Sequence, residues 1–158
     1  MNKFQYLLVF LLVFNSCEDA IEDRTPSFQA NLNGIQFWEA NSFSIITDSN
    51  GTRITGNNML GTISIHFPLL QVGTNNMGSS EIAVGIFQDS MYYSTMYDGI
   101  SSIAHLSDGE ITIDEYNSVE NTISGTFNFD AYNETGEYNL NISEGVFYRL
   151  PISVGSGN

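Results

Sequence analysis

A chain of 158 residues with 18 Asp and Glu against four Lys and Arg carries a formal charge of −14 at neutral pH. Beyond Lys3 its only fixed cations are Arg24, Arg53 and Arg149, too few to displace the counterions of a phosphate backbone, so nucleic acid is excluded as a partner. Electrostatic adhesion to anionic lipid headgroups is excluded on the same ground, whereas 42 % apolar and 13 % aromatic residues suffice for one domain with a real core.

Lys3 precedes an apolar run over residues 4–14, broken only by Gln5 and followed by Asn15-Ser16-Cys17. The run is shorter than the about 20 residues needed to span a bilayer. Residues 1–16 therefore read as a lipoprotein signal, and Cys17 as the acylated first residue of the mature chain. The alternative is an ordinary secretory signal cleaved nearby. Cys17 is the single cysteine, so an exported domain has no internal disulfide available, and lipidation consumes the thiol. The membrane becomes a partner through covalent lipid. Residues 17–26, acidic at Glu18, Asp19, Glu22 and Asp23 and ending at Pro26, read as a tether.

Residues 27–158 form the domain, and their period is two. Phe28, Ala30 and Leu32 alternate with polar neighbours, and Asn33-Gly34 supplies a tight turn into residues 35–39. Phe37 and Trp38 fall on opposite faces of that second arm. Residues 43–47 and 53–55 are strands about the turn Asp48-Ser49-Asn50-Gly51. Residues 60–67 place Ile63, Ile65 and Phe67 on one face and Ser64 and His66 on the other, before Pro68.

Residues 71–80 are rich in turn formers and read as a loop. Ile82, Val84 and Ile86 resume a strand, and the small Ala83 and Gly85 on its reverse face imply a second layer close by. Residues 91–97 are aromatic on both faces; residues 103–106 are ambiguous. Asp108-Gly109 leads into a strand at 110–114, and residues 122–131 alternate cleanly through Ile123, Phe127 and Phe129. Asn133 to Gly136 turns into Tyr138, Leu140 and Ile142, Glu144-Gly145 turns the chain again, and residues 146–152 close it.

Nine or ten short strands at hairpin spacing, with no amphipathic helix, predict an all-β fold: a single antiparallel β-sandwich, with a closed or partly open β-barrel as the alternative. At this point Phe28-Gln29-Ala30-Asn31-Leu32-Asn33-Gly34, with Trp38 beyond it, resembles the opening of a family of small Bacteroidota lipoproteins of unknown function. So do Gly109 to Ile113, Ile123-Ser124-Gly125-Thr126-Phe127-Asn128-Phe129 and Gly145-Val146-Phe147. In one departure, Gly73-Thr74 is followed by Asn75 where the family shows an aromatic. The resemblance implies an all-β domain in the cell envelope and transfers no activity. The acids after Cys17 resemble a signal for export to the cell surface, so outer-membrane surface display is expected over a periplasm-facing position. Asp89-Ser90-Met91 also resembles a bacterial O-glycosylation acceptor.

Candidate chemistry is sparse. His66 and His105 are the only histidines and have no zinc-ligand spacing. No Gly-x-Ser-x-Gly nucleophile stretch occurs, so a non-catalytic role is expected. No cofactor is expected, although Asp48-Ser49-Asn50-Gly51 and Asp108-Gly109-Glu110 have oxygen donors of the kind Ca2+ takes. The aromatics carry the binding expectation: Trp38, Tyr92, Tyr93 and Tyr97 are the candidate ligand-binding residues, and a glycan suits flat aromatic faces. Tyr116, Tyr132 and Tyr148 extend the set, and core packing is the competing role for all of them. A binding or structural surface module, with a glycan or an envelope protein as partner, is therefore expected. The other expectation is a lipocalin-like carrier or enzyme with an interior pocket.

Overall fold

The structure, a computed structural model, describes residues 25–100 and 106–154; Cys17, the signal, most of the tether and His105 lie outside them. The strands in chain order are β1 (Ser27–Leu32), β2 (Gln36–Glu39), β3 (Ser42–Asp48), β4 (Gly51–Asn58), β5 (Gly61–Phe67) and β6 (Gly73–Gly78). They continue with β7 (Val84–Gln88), β8 (Tyr92–Ser94), β9 (Asp108–Asn117), β10 (Thr122–Asn133), β11 (Asn139–Pro151) and β12 (Ser153–Val154). Twelve strands exceed the nine or ten expected, because residues 73–78, rich in turn formers, form β6 and because β12 has only two residues.

All pair into one sheet in the order β12-β3-β4-β5-β7-β8-β10-β11-β1-β2, with β9 and β6 branching from β10. Named strands pair antiparallel except β12 with β3. The two ends of this path approach each other through the chain itself: Ile152 alone separates β11 from β12, and residues 40–41 alone separate β2 from β3. The fold is all-β, one strongly curled antiparallel sheet. This half-barrel has walls that face each other across the core as the layers of a sandwich do.

The alternation expected of each strand decides what fills the interior. Ile45, Ile54 and Ile65 are partners across β3, β4 and β5 and are fully buried. Phe28, Ile111, Ile113, Ile123, Phe127, Phe129, Ile142 and Phe147 complete the core from the facing strands. Curling brings the walls close, and the large rings fit because they lie over glycines. A β-carbon at Gly56 would fall 2.4 Å from the Phe28 ring, one at Gly85 2.8 Å from Phe129, and one at Gly145 2.6 Å from Phe127. The small face of β7 is accordingly its inward one: Ala83, Gly85 and Phe87 are buried while Ile82 is 72 % exposed.

An expected loop and an expected turn both lie within strands. Residues 73–78 form β6, which pairs with β9 from Gly73↔Ile113 to Gly78↔Asp108. The free edge of β9 supplies the ladder that an Asn-rich segment does not specify by itself. At Glu144-Gly145 the chain does not turn. Glu144 has a positive φ of 51°, and two residues of β11 oppose one on each neighbour, Glu144 and Gly145 against Ala30 of β1 and Ser143 and Glu144 against Asn128 of β10, so the site is a bulge inside one thirteen-residue strand.

Candidate functional site

Trp38, expected among the ligand-binding aromatics, presents no exposed face to a ligand. Ala30↔Trp38 pairing turns its indole inward, where it is fully buried, lies edge-on to Phe28 at 5.3 Å and donates Nε1–H to the Gly61 carbonyl at 3.1 Å. The other three candidates come together. Asp89 Oδ1 accepts from Met91 N–H at 2.7 Å and closes the turn between β7 and β8. The three residues of β8 then bond β7 on one side and the end of β10 on the other, through Phe87↔Tyr93 and Tyr132↔Ser94.

Tyr93 faces inward, its ring 6.4 Å from Phe87. Burial first, then the charges of Asp89 and Tyr138, pushes its hydroxyl above the ordinary tyrosine range, so it is a neutral donor and acceptor at physiological pH. Tyr92 is 40 % exposed. Beyond β8, Ser94 Oγ accepts from Met96 N–H and Tyr97 N–H donates to the Ser94 carbonyl, and this turn carries Tyr97 back to Tyr92. The two rings meet edge to face at 6.3 Å and 71°.

The following segment is held from several directions. Thr95, fully buried, donates N–H to the Gly85 carbonyl and accepts Gly85 N–H on Oγ1. Asp98 Oδ2 accepts from Ser79 Oγ at 2.7 Å and Oδ1 from Ser107 N–H at 2.9 Å, while Ile100 N–H reaches the Gly136 carbonyl. Met96, Ile100 and Tyr138 are exposed around this end of the sheet. Sequence reading missed them, because they lie outside regular strands or beside a turn, where alternation carries no signal. Tyr116 lies exposed on β9, and Tyr132 is buried on β10.

The Ser79 hydroxyl first, then Ser107, holds the Asp98 carboxyl below the ordinary 3.8, against a weak opposing effect of burial. A depressed carboxylate stabilises the fold above its unfolded pKa, and that contribution disappears as pH falls through the folded value. Hydrogen-exchange protection of Ser107 is therefore expected to drop as pH falls from about 5 to about 2 in the native chain and to change much less in Asp98→Asn. An equal drop in both would remove Asp98 as the pin.

The two segments with calcium-type oxygen donors lie in a turn and at the start of a strand. Asp48 Oδ1 accepts Asn50 N–H within the β3–β4 turn, and Asp108 to Glu110 begin β9. Among the described residues no group of three or more His, Cys, Asp or Glu is placed to hold a metal. His66 lies on the polar face, its Nε2 at 3.2 Å from the Asn50 carbonyl. Ser90 is exposed in the β7–β8 turn.

Curled all-β sheet, filled interior and a pinned tyrosine cluster at one end define the class of domain this chain forms. Residues 24–151 match the model of DUF6252, a domain of unknown function, and the chain belongs to that family. No curated protein and no solved structure matches it.

Proposed function

We propose that this chain is a lipid-anchored protein of the bacterial outer membrane, displayed at the cell surface as a non-catalytic module that binds glycan through Tyr92 and Tyr97. The anchoring half of this reading rests on the sequence: a short apolar run ending at a lone cysteine, followed by acids. The binding half rests on one observation, the edge-to-face pair of exposed Tyr92 and half-buried Tyr97 on a segment pinned through Thr95 and Asp98. Rings held in place before a sugar arrives lose little conformational freedom on binding, which favours affinity. Burial of large Phe and Ile side chains throughout the interior favours this reading over a carrier with an internal pocket.

One experiment on cells tests both halves. Cys17→Ser is expected to release the protein from the membrane fraction, and protease added to intact cells to remove the native chain before lysis. Tyr92→Ala with Tyr97→Ala is expected to weaken retention on the host's own surface polysaccharide by about tenfold or more while leaving anchoring intact. Unchanged retention removes the glycan site, and a Cys17→Ser protein that stays in the membrane removes the lipid anchor.

A further inference from the structure

The outward face of β3, β4 and β5 carries a second feature, separate from the tyrosine cluster. Inward Ile45, Ile54 and Ile65 alternate with an outward row, Ile46↔Arg53 and Arg53↔His66, on three neighbouring strands. The β3–β4 turn rises beside this row, and together Ile46, Asp48, Asn50, Gly51, Arg53 and His66 enclose a depression of about 200 Å³. The turn is set by the Asp48–Asn50 hydrogen bond. A backbone carbonyl can only accept, so the contact with Asn50 places the proton of His66 on Nε2 and fixes the ring against the rim. Ile46, 47 % exposed, contributes apolar surface to the depression.

Arg53 is the informative residue. Arg149 donates to Glu120, whereas Arg53 makes no ion pair among the described residues although the chain holds 18 acids. A guanidinium fork is shaped for two-point contact with a carboxylate, and here it stands beside an imidazole and an exposed apolar side chain. Asp48 on the rim opposes any second negative charge on a ligand. At physiological salt the Debye length is about 8 Å, so the remote acids of the chain are screened while Asp48 is not.

We propose that this depression binds a single carboxylate carried on a small ring or a short apolar body, with Arg53 as its anchor and Asp48 as the filter against dianions. The chemistry is that of a uronate sugar or a small organic acid.

The test is a titration of the complete chain followed by amide and guanidinium NMR signals. Galacturonate is the probe, with galactose and inorganic phosphate as controls. Saturable shifts are expected at Asn50, Gly51 and Arg53 with galacturonate, with galactose and phosphate each at least about fivefold weaker. Arg53→Gln is expected to weaken galacturonate by about tenfold or more, the loss of a charge-assisted pair. Asp48→Asn, which keeps the oxygen that accepts Asn50 N–H, is expected to strengthen it several-fold and to narrow the margin over phosphate. A merely structural role for Arg53 would leave that second change absent. Galactose binding as well as galacturonate, phosphate binding as tightly, or an unaltered titration in Arg53→Gln would each overturn the proposal.

Discussion

Phe127→Ala is expected to destabilise the fold by about 4 kcal/mol, near the top of what one truncation in a core costs. The ring is 2 % exposed and touches Phe28 at 5.3 Å, Phe129 at 6.4 Å and Phe147 at 6.5 Å, so three aromatic contacts go with it. The cavity has little to fill it, because the ring lies over Gly145, which has no side chain to swing in. Neighbouring backbone is held as well, since β10 is bonded along one edge to β11 and along most of the other to β9. Urea unfolding measures the loss directly, and a decrease below about 1 kcal/mol would mean that the walls collapse onto the vacated space.

Gly125→Ala tests the opposite limit, overfilling. A β-carbon at Gly125 would lie 2.0 Å from the Thr112 carbonyl oxygen and 2.5 Å from Cζ of Phe147. The first obstacle is backbone of the neighbouring strand and cannot yield without opening the β9–β10 ladder. The pairing of β10 shifts register just before this residue against both neighbouring strands, between Ser124 and Gly125 against β9 and between Ile123 and Gly125 against β11. Gly125 is thus the point where the strand bends and a ring from β11 covers it. About 3 kcal/mol of destabilisation is expected, the upper part of the range for an added carbon in a packed interior. Thr126→Ala, one residue along on the exposed face, is expected to cost less than about 1 kcal/mol. Similar unfolding midpoints for the two would show that the curl adapts to a β-carbon. Shortening Phe147 to Leu should recover part of the Gly125→Ala loss, as expected for two residues in direct contact.

Much of the fold is legible residue by residue. Phe28-x-Ala30-x-Leu32, Ile63-x-Ile65-x-Phe67 and Phe127-x-Phe129 announce their buried face by period two, and each is buried as that pattern requires. Asn33-Gly34 and Asp48 to Gly51 are turns because their side chains or φ angles make them so, whatever surrounds them. Other positions are ambiguous for a physical reason. Glu144-Gly145 has the left-handed signature that a turn and a bulge share, and only partners on both edges of β11 select the bulge. Residues 73–78 have poor intrinsic strand preference, and the edge of β9 overrides it.

The candidate site divides the same way. Local sequence brings Tyr92, Tyr93 and Tyr97 near one another, since the six residues from Tyr92 to Tyr97 run around a turn and cannot separate them far. Their roles are set from outside: Phe87 takes Tyr93 into the core, and the Ser94 turn folds Tyr97 onto Tyr92. Trp38 has the same chemistry as a ligand platform, and its place opposite Ala30 gives it to the interior instead.

By itself, then, the sequence determined an all-β domain, the strands with strong alternation and the tight turns, because these follow from side-chain periodicity and local backbone preference. Tertiary structure alone decided the curl of the sheet, the strand at residues 73–78 and the bulge at Glu144. It also decided which aromatics are displayed and the meeting of Arg53 with His66. Each of these depends on partners far away in the chain, and a period of two names the faces of a strand without saying what each will meet.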